Sequence, residues 1–222
     1  MQAPPSSPPL DVLFFVSGSP PLPPGEGIHE RVAKPRIYLS LPNDFRRKLS
    51  NFYQSPFAIE CASLPACYSK IFPGTSKWNS VEHLFQGCKI ALVDVKRGRN
   101  FCLDSGSELS KKPGLAARLQ RKCVELDRRQ LDRWDSIQPE VLHAGLEAKF
   151  SQNPHLRKLL CDTKEAALTH TIERVVRFDV DAYRQHQLEG IRHKLQTQQS
   201  EDEPDDDDVS TKPEAAAAVQ ND

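Results

Sequence analysis

Trp78-Asn79-Ser80-Val81-Glu82-His83-Leu84-Phe85-Gln86-Gly87-Cys88-Lys89 is the stretch on which the fold turns. Val81, Leu84, Phe85 and Cys88 recur at the spacing of one apolar face of a helix, so the stretch predicts a core helix running to about Asp94. Glu82, Gln86 and Lys89 follow a second line at i, i+4 and i+7 and share another face. With a rise of about 1.5 Å per residue, Glu82 and Lys89 lie about 10 Å apart along the axis, a span that suits two groups gripping one sugar-sized ligand. A second reading stands beside this one. Asn79 or Ser80 can be the N-cap, with Glu82 as the acidic return member of a capping box.

Upstream, Val12-Leu13-Phe14-Phe15-Val16 reads as a first strand and Arg36 to Leu41 as a second, separated by a Gly/Pro-rich loop over residues 18–35. The segment from Leu49 turns at Pro56 into a third strand ending near Ile59, and residues 60–77 read as loop. Downstream, Gly98 marks a stop and residues 100–112 look irregular. A long helix is expected from Pro113 to about Gln130, where Leu115, Leu119, Cys123 and Leu126 form a stripe amid basic residues. Trp134 and Asp135 precede a helix from Ile137 to Phe150; a further one follows Pro154, and a last runs from about Val180 to Leu195. Helices outnumber strands and the strands cluster early. The class expected is α+β: a single mainly helical domain with a small early sheet.

Both ends differ in composition from this body. The first 24 residues hold eight of the 18 prolines, and residues 200–222 hold nine acids against one base, Lys212. Neither end buries enough apolar surface to offset its ordering entropy. The expected organisation is therefore a disordered Pro-rich segment at 1–11, one domain at 12–195 and an acidic disordered tail at 196–222. The net charge of zero divides accordingly: 29 of the 30 bases and 21 of the 30 acids lie in residues 1–199, a body of about +8 that suits polyanionic ligands. Six scattered cysteines without a C-x-x-C pair, and an N-terminus without a basic region leading into an apolar run, point to a reducing compartment, cytoplasmic or nuclear. No stretch approaches 18 apolar residues, so no membrane span is expected.

No ligand spacing typical of zinc occurs, and neither G-x-x-x-x-G-K-[ST] nor G-x-G-x-x-G is present, so neither a metal nor a nucleotide cofactor is expected. Cys88 sits on the apolar line of its helix, where a thiol serves as core filler. The residues left as candidates for chemistry are Glu82, Lys89, Trp78, Trp134, Asp135 and the trio Ser50-Asn51-Phe52.

Those residues carry a resemblance. Leu49 to Tyr53 with Ser55-Pro56-Phe57, then Trp78 to Lys89, Trp134-Asp135, and Ala148-Lys149-Phe150-Ser151-Gln152-Asn153-Pro154 with Leu156, Leu159-Leu160 and Thr163 resemble, in that order, the NADAR family of YbiA-like N-glycosidases. The likeness spans residues 12–195 and closes on Gly190 to Leu195. Two departures stand out. Where the family has Leu-Val-Glu, this chain has Leu168-Thr169-His170-Thr171, and no Trp-Gly turn follows near Val175 to Asp181. The far wall of the pocket is expected to differ.

The resemblance implies a hydrolase cleaving an N-glycosidic bond to ribose. Its substrate would be ADP-ribosylated guanine in DNA or RNA, with ADP-ribose as product. The family's other substrate class, phosphoribosylamino-pyrimidine intermediates of riboflavin synthesis, is the alternative, and a non-catalytic ADP-ribose-binding module a third. Breaking C1–N builds positive charge on the sugar, which a fixed carboxylate such as Glu82 would stabilise. Lys89 would attack C1 and form an imine, a role that needs the neutral amine. Asn51 and Gln86 would hydrogen-bond sugar hydroxyls, and Trp78 or Trp134 would stack on a base. Ser50, Phe52, Asp135, Lys149 as a phosphate ligand, and His170 in the altered segment complete the candidate binding set. The oligomeric state is not legible in the sequence.

Overall fold

The computed structural model describes residues 10–171 and 178–202. In chain order the elements are β1 (Val12–Phe14), α1 (Phe45–Leu49), β2 (Phe57–Glu60), β3 (Thr75–Trp78), α2 (Val81–Ala91), α3 (Val95–Arg99), α4 (Glu108–Lys111), α5 (Gly114–Leu119), α6 (Arg128–Gln152), α7 (Pro154–Asp162), β4 (Ala167–Thr169), α8 (Val180–Tyr183) and α9 (His186–Asp202). The class is α+β with a helical majority. Two small sheets flank the helices: β1 pairs in parallel with β4, Leu13 opposite Leu168, and β2 pairs antiparallel with β3, Phe57 opposite Trp78.

α2 is the centre of the packing. Val81, Leu84, Cys88 and Ile90 are completely buried, as the periodicity requires. Its partner is α6, which comes close because position 145 is glycine: a Cβ there would lie 2.8 Å from Leu84 Cδ2. Val141, Leu146 and Phe150 of α6 join the same core.

Several elements differ from expectation. Residues 36–41 are not a strand; Pro35–Tyr38 is a 3-10 turn, started by a proline and anchored by the buried Tyr38, whose hydroxyl donates to Asp11 at 2.9 Å. Asp11 thus belongs to the fold although the expected boundary excluded it. β3 lies within the segment expected as loop, and β4 supplies a late strand. The long helix expected from Pro113 ends at Leu119, followed by a 3-10 turn, because Asp127 starts a new helix. Its carboxylate accepts from Gln130 N at 2.8 Å while the Gln130 side chain accepts from Asp127 N at 2.9 Å. The apolar stripe that suggested one helix is half outside the core, with Leu115 at 59% and Leu119 at 67% exposure. Trp134, Asp135 and Pro139 lie inside α6, and α9 continues past Leu195 to Asp202.

The loop over residues 18–35 is fastened by a buried ion pair. Glu30 accepts from Arg46 Nε at 2.8 Å and Nη2 at 2.6 Å, and from the amides of Gly25 and Gly27; Arg46 in turn donates to the carbonyls of Leu22 and Pro23. Every polar atom of the pair has a partner, the condition under which a buried pair is tolerated.

Lys149 is a second interior fastener. Its ammonium donates to the carbonyls of Lys48 at 2.7 Å, Leu49 at 3.3 Å and Ser50 at 2.8 Å, closing the C-terminal end of α1, where a cation is favoured. Burial pushes its pKa down to about 7, while three acceptors that need three N–H donors hold the proton on. Lys149→Met keeps most of the volume but takes the ammonium donor from the Lys48 and Leu49 carbonyls, while the Ser50 carbonyl keeps the Tyr53 amide at 3.1 Å. We expect a loss of about 2–3 kcal/mol, read as a drop in Tm; an unchanged Tm would show that water reaches the end of α1.

Candidate active site

Ser80 is the N-cap of α2. Its Oγ accepts from His83 N and meets His83 Nδ1 at 2.8 Å. The third helical position is therefore His83, and Glu82 has no part in a capping box. The Glu82 side chain instead accepts from Gln86 Nε2 at 2.9 Å, the i, i+4 pair of the second helix line. Its backbone amide, an orphan of the first turn, donates to the Asn51 carbonyl at 3.0 Å. That bond joins the α2 wall to the Ser50-Asn51-Phe52 turn, which Lys149 holds from below.

Both polar groups of this pair are nearly enclosed, Glu82 and Gln86 each at 6% exposure. Burial raises the Glu82 pKa, opposed by the Gln86 hydrogen bond and by the cations Arg118 and Arg121. A carboxylate only accepts, so Gln86 must turn its NH2 toward Glu82; its Oε1 is left buried without a partner among the described residues.

The third wall is α5. A Cβ at Gly114 would lie 2.7 Å from both Cα and O of Phe52, so only glycine allows α5 to seat on the Phe52 backbone. Arg118, one turn further on the same face, then lies with its guanidinium carbon 5.7 Å from the centre of the Phe52 ring. His170 is within electrostatic reach of Arg118: Nδ1 faces the Phe15 carbonyl at 2.7 Å and the ring stacks on Phe15. A carbonyl can only accept, so Nδ1 carries the proton. Burial lowers the pKa of His170, helped by Arg118 against the Phe15 bond, leaving Nε2 as an acceptor.

Lys89 stands on the same face of α2 as Glu82 and Gln86, half-buried and without an ion pair among the described residues. Phe85, one turn before it, meets Trp134 edge-on at 4.7 Å and lines a cavity of about 400 Å³ shared with Leu142 and residues 184–187. A second groove of about 830 Å³, lined by β2 and α6 and sharing Pro139 and Gln187 with the first, is not lined by Glu82, Gln86 or Lys89.

The structure thus brings Glu82, Phe52 and His170 within reach of Arg118, ties Gln86 and the Asn51 backbone to Glu82, and aligns Lys89 on the same helix face. Other expected site residues lie elsewhere. Trp78 is fully buried, its indole N–H spent on Ser76 Oγ at 2.9 Å, and Trp134 is 2% exposed, so neither offers a face to a base. Ser50 is fully buried and caps its own turn, donating nothing outward and accepting from Phe52 N. Lys149, with all three donors on backbone carbonyls, has none for a phosphate. Asp135 is exposed and accepts from Gln138 on its own helix. Arg118 and Gly114 are not among the candidates the sequence singles out, since Arg118 is one base among many on the helix expected from Pro113 to Gln130. Among the described residues no group of three His, Cys, Asp or Glu side chains is placed to hold a metal, and all six cysteines are free thiols. No helix among them is long and apolar enough to cross a membrane. The expected site of a Trp-Gly turn falls partly on residues 172–177, outside the described residues.

Comparison with known proteins adds three findings. A family model described as the NADAR domain matches residues 42–194. Over 95 residues the chain is 33% identical to the riboflavin biosynthesis protein PYRR, chloroplastic, of Zea mays; the match covers 41% of this chain and 14% of that protein. The NMR structure of the E. coli protein YbiA aligns with a TM-score of 0.47 at 23% identity, over 72% of this chain and 84% of that one.

Proposed function

The chain belongs to the NADAR domain family, a family of N-glycosidase-type hydrolases, and on that premise we propose that it cleaves the bond between ADP-ribose and a guanine base, reversing ADP-ribosylation of DNA or RNA. The observation that carries the reading is the enclosed Glu82 carboxyl on the motif helix, oriented by Gln86 and bordered by Phe52 and Arg118. Cleavage of C1–N moves the bonding electrons onto the leaving base and leaves positive charge on the ribose. A carboxylate held in a water-poor site stabilises that charge without first having to reorganise. Its cost is visible in the raised pKa of Glu82.

Support for a nucleic-acid substrate comes from exposed basic residues flanking α5 and on the first turns of α6. Lys112, Arg121, Lys122, Arg129 and Arg133 are exposed and make no ion pair among the described residues. Such a surface attracts a polyanion and makes its binding salt-dependent. The expected result is release of ADP-ribose from an ADP-ribosylated guanine oligonucleotide, faster at low salt. Folded protein that releases none would overturn the proposal. A second reading is favoured by the maize relative, which is named for riboflavin biosynthesis. There the substrate is a phosphoribosylamino-pyrimidine, and release of ribose 5-phosphate from it, without action on the oligonucleotide, would establish that alternative.

A further inference from the structure

We propose that Arg118 is the anion anchor of this site and binds the phosphate on C5 of the ribose whose C1 reacts, so that the site selects a phosphorylated ribosyl group. The inference rests on the N-glycosidase reading and adds to it the residue that distinguishes a ribose phosphate from a bare ribose.

The floor and the rim of the site present opposite chemistry. The floor offers acceptors: the Glu82 carboxyl and the buried, unpartnered Oε1 of Gln86. Acceptors left without donors in an enclosed place cost free energy until a ligand supplies O–H or N–H groups, and the hydroxyls of a ribose do so. The rim offers the reverse. Arg118 carries five N–H donors in a planar fork and makes no hydrogen bond or ion pair among the described residues; its guanidinium lies over the Phe52 ring. It is near enough to act on the charge of both Glu82 and His170, yet no ion pair closes between it and Glu82. A cation and a carboxylate that face one site without joining leave room for a ligand between them.

The position of Arg118 is built. Gly114 seats α5 directly on the Phe52 backbone, and the Asn51 carbonyl ties that same turn to Glu82 N. Phe52 is thus a shared spacer that sets the guanidinium at a fixed offset from the carboxyl. A guanidinium fork matches two phosphate oxygens at once, whereas a lysine at that place would give only a point charge.

Calorimetry with ADP-ribose, ribose 5-phosphate and unphosphorylated ribose as probes tests the assignment on the full chain. In the wild type both phosphorylated probes should bind more tightly than ribose. Arg118→Ala should weaken both by about tenfold to hundredfold and flatten their salt dependence, and Arg118→Lys should recover only part. Ribose binding should not change. Loss confined to ADP-ribose would overturn the proposal, since it would put the contact on the adenylate phosphate. Wild-type affinity and salt dependence in a folded Arg118→Ala would overturn it as well. The glycosidase reading is judged apart, by turnover in the Glu82→Gln variant, so either can fail alone.

Discussion

Glu82→Gln should abolish most turnover and, at neutral pH, raise the melting temperature. The substitution keeps the shape of the side chain, and the amide oxygen can still accept from Gln86 Nε2. What disappears is a negative charge in a site that excludes water. If that charge stabilises the cation developing at C1, kcat falls about 10³-fold, about 4 kcal/mol of transition-state stabilisation, while affinity for ADP-ribose stays near wild type. The stability effect has the opposite sign because burial holds the folded pKa of Glu82 above its ordinary value of 4.5. Below about pH 4.5 the acid is protonated folded or unfolded, and wild type and variant should melt alike. As pH rises through the elevated folded value, the unfolded chain ionises first and the wild type loses stability. The variant has no such group, so its advantage opens as pH rises above the ordinary carboxylate range and is complete once pH has passed the folded value. Thermal melts of both proteins between about pH 4 and pH 8 check this. Equal melting temperatures at every pH would mean that the carboxylate is not under strain, and undiminished kcat would remove Glu82 from the chemistry.

Two kinds of information had to meet to make this site, and only one was legible in the sequence. Glu82, Gln86 and Lys89 share a face because they lie on one helix, and helical period is written in the local order of residues. The burial of Val81, Leu84 and Cys88 followed from the same period, as did β1 and β2 from their short apolar runs. Contacts between distant segments were not legible in this way. β1 pairs with β4 from the far end of the domain, and β4 has only three residues to announce it. Arg118 reaches Phe52 only because Gly114 lacks a Cβ, a fact about two surfaces rather than about α5 alone. The stripe of Leu115 and Leu119 even pointed the other way. It matched the helical period but faces solvent, since period tells which residues share a side and not what covers it. Lys149 and Trp78 show the converse: polar or amphipathic side chains in a recognised motif whose partners turned out to be interior atoms, Lys48 to Ser50 for one and Ser76 for the other.

Lys89→Ala should eliminate turnover, and the wild type should be trapped by borohydride while it works. In the covalent route the neutral amine of Lys89 adds its lone pair to C1 of the ribose as the C1–N bond to guanine breaks. The base takes the electron pair of that bond together with a proton, the sugar ring opens to leave an imine on Lys89, and water hydrolyses the imine to free ADP-ribose and the lysine. The geometry meets the first requirement. Lys89 is on the face of α2 that carries Glu82, about 10 Å further along the axis by helical rise, and a flexible side chain spans much of that interval. It is half-buried and no carboxylate among the described residues pairs with it, so its nitrogen is not committed to a partner. Borohydride added during turnover should reduce the imine to a stable secondary amine, and mass spectrometry should find one ADP-ribosyl adduct on the peptide bearing Lys89. The Lys89→Ala protein should give no adduct and lose at least about 10³-fold in kcat, while still binding ADP-ribose through Gln86 and Arg118. Lys89→Arg, which keeps the charge but cannot form the imine, should be as inactive as the alanine variant. Rescue by arginine would show that the charge alone matters. Turnover by the wild type without any trapped adduct would show that Glu82 directs water to C1 instead, and the two outcomes together separate a covalent glycosidase from one that works through a single displacement.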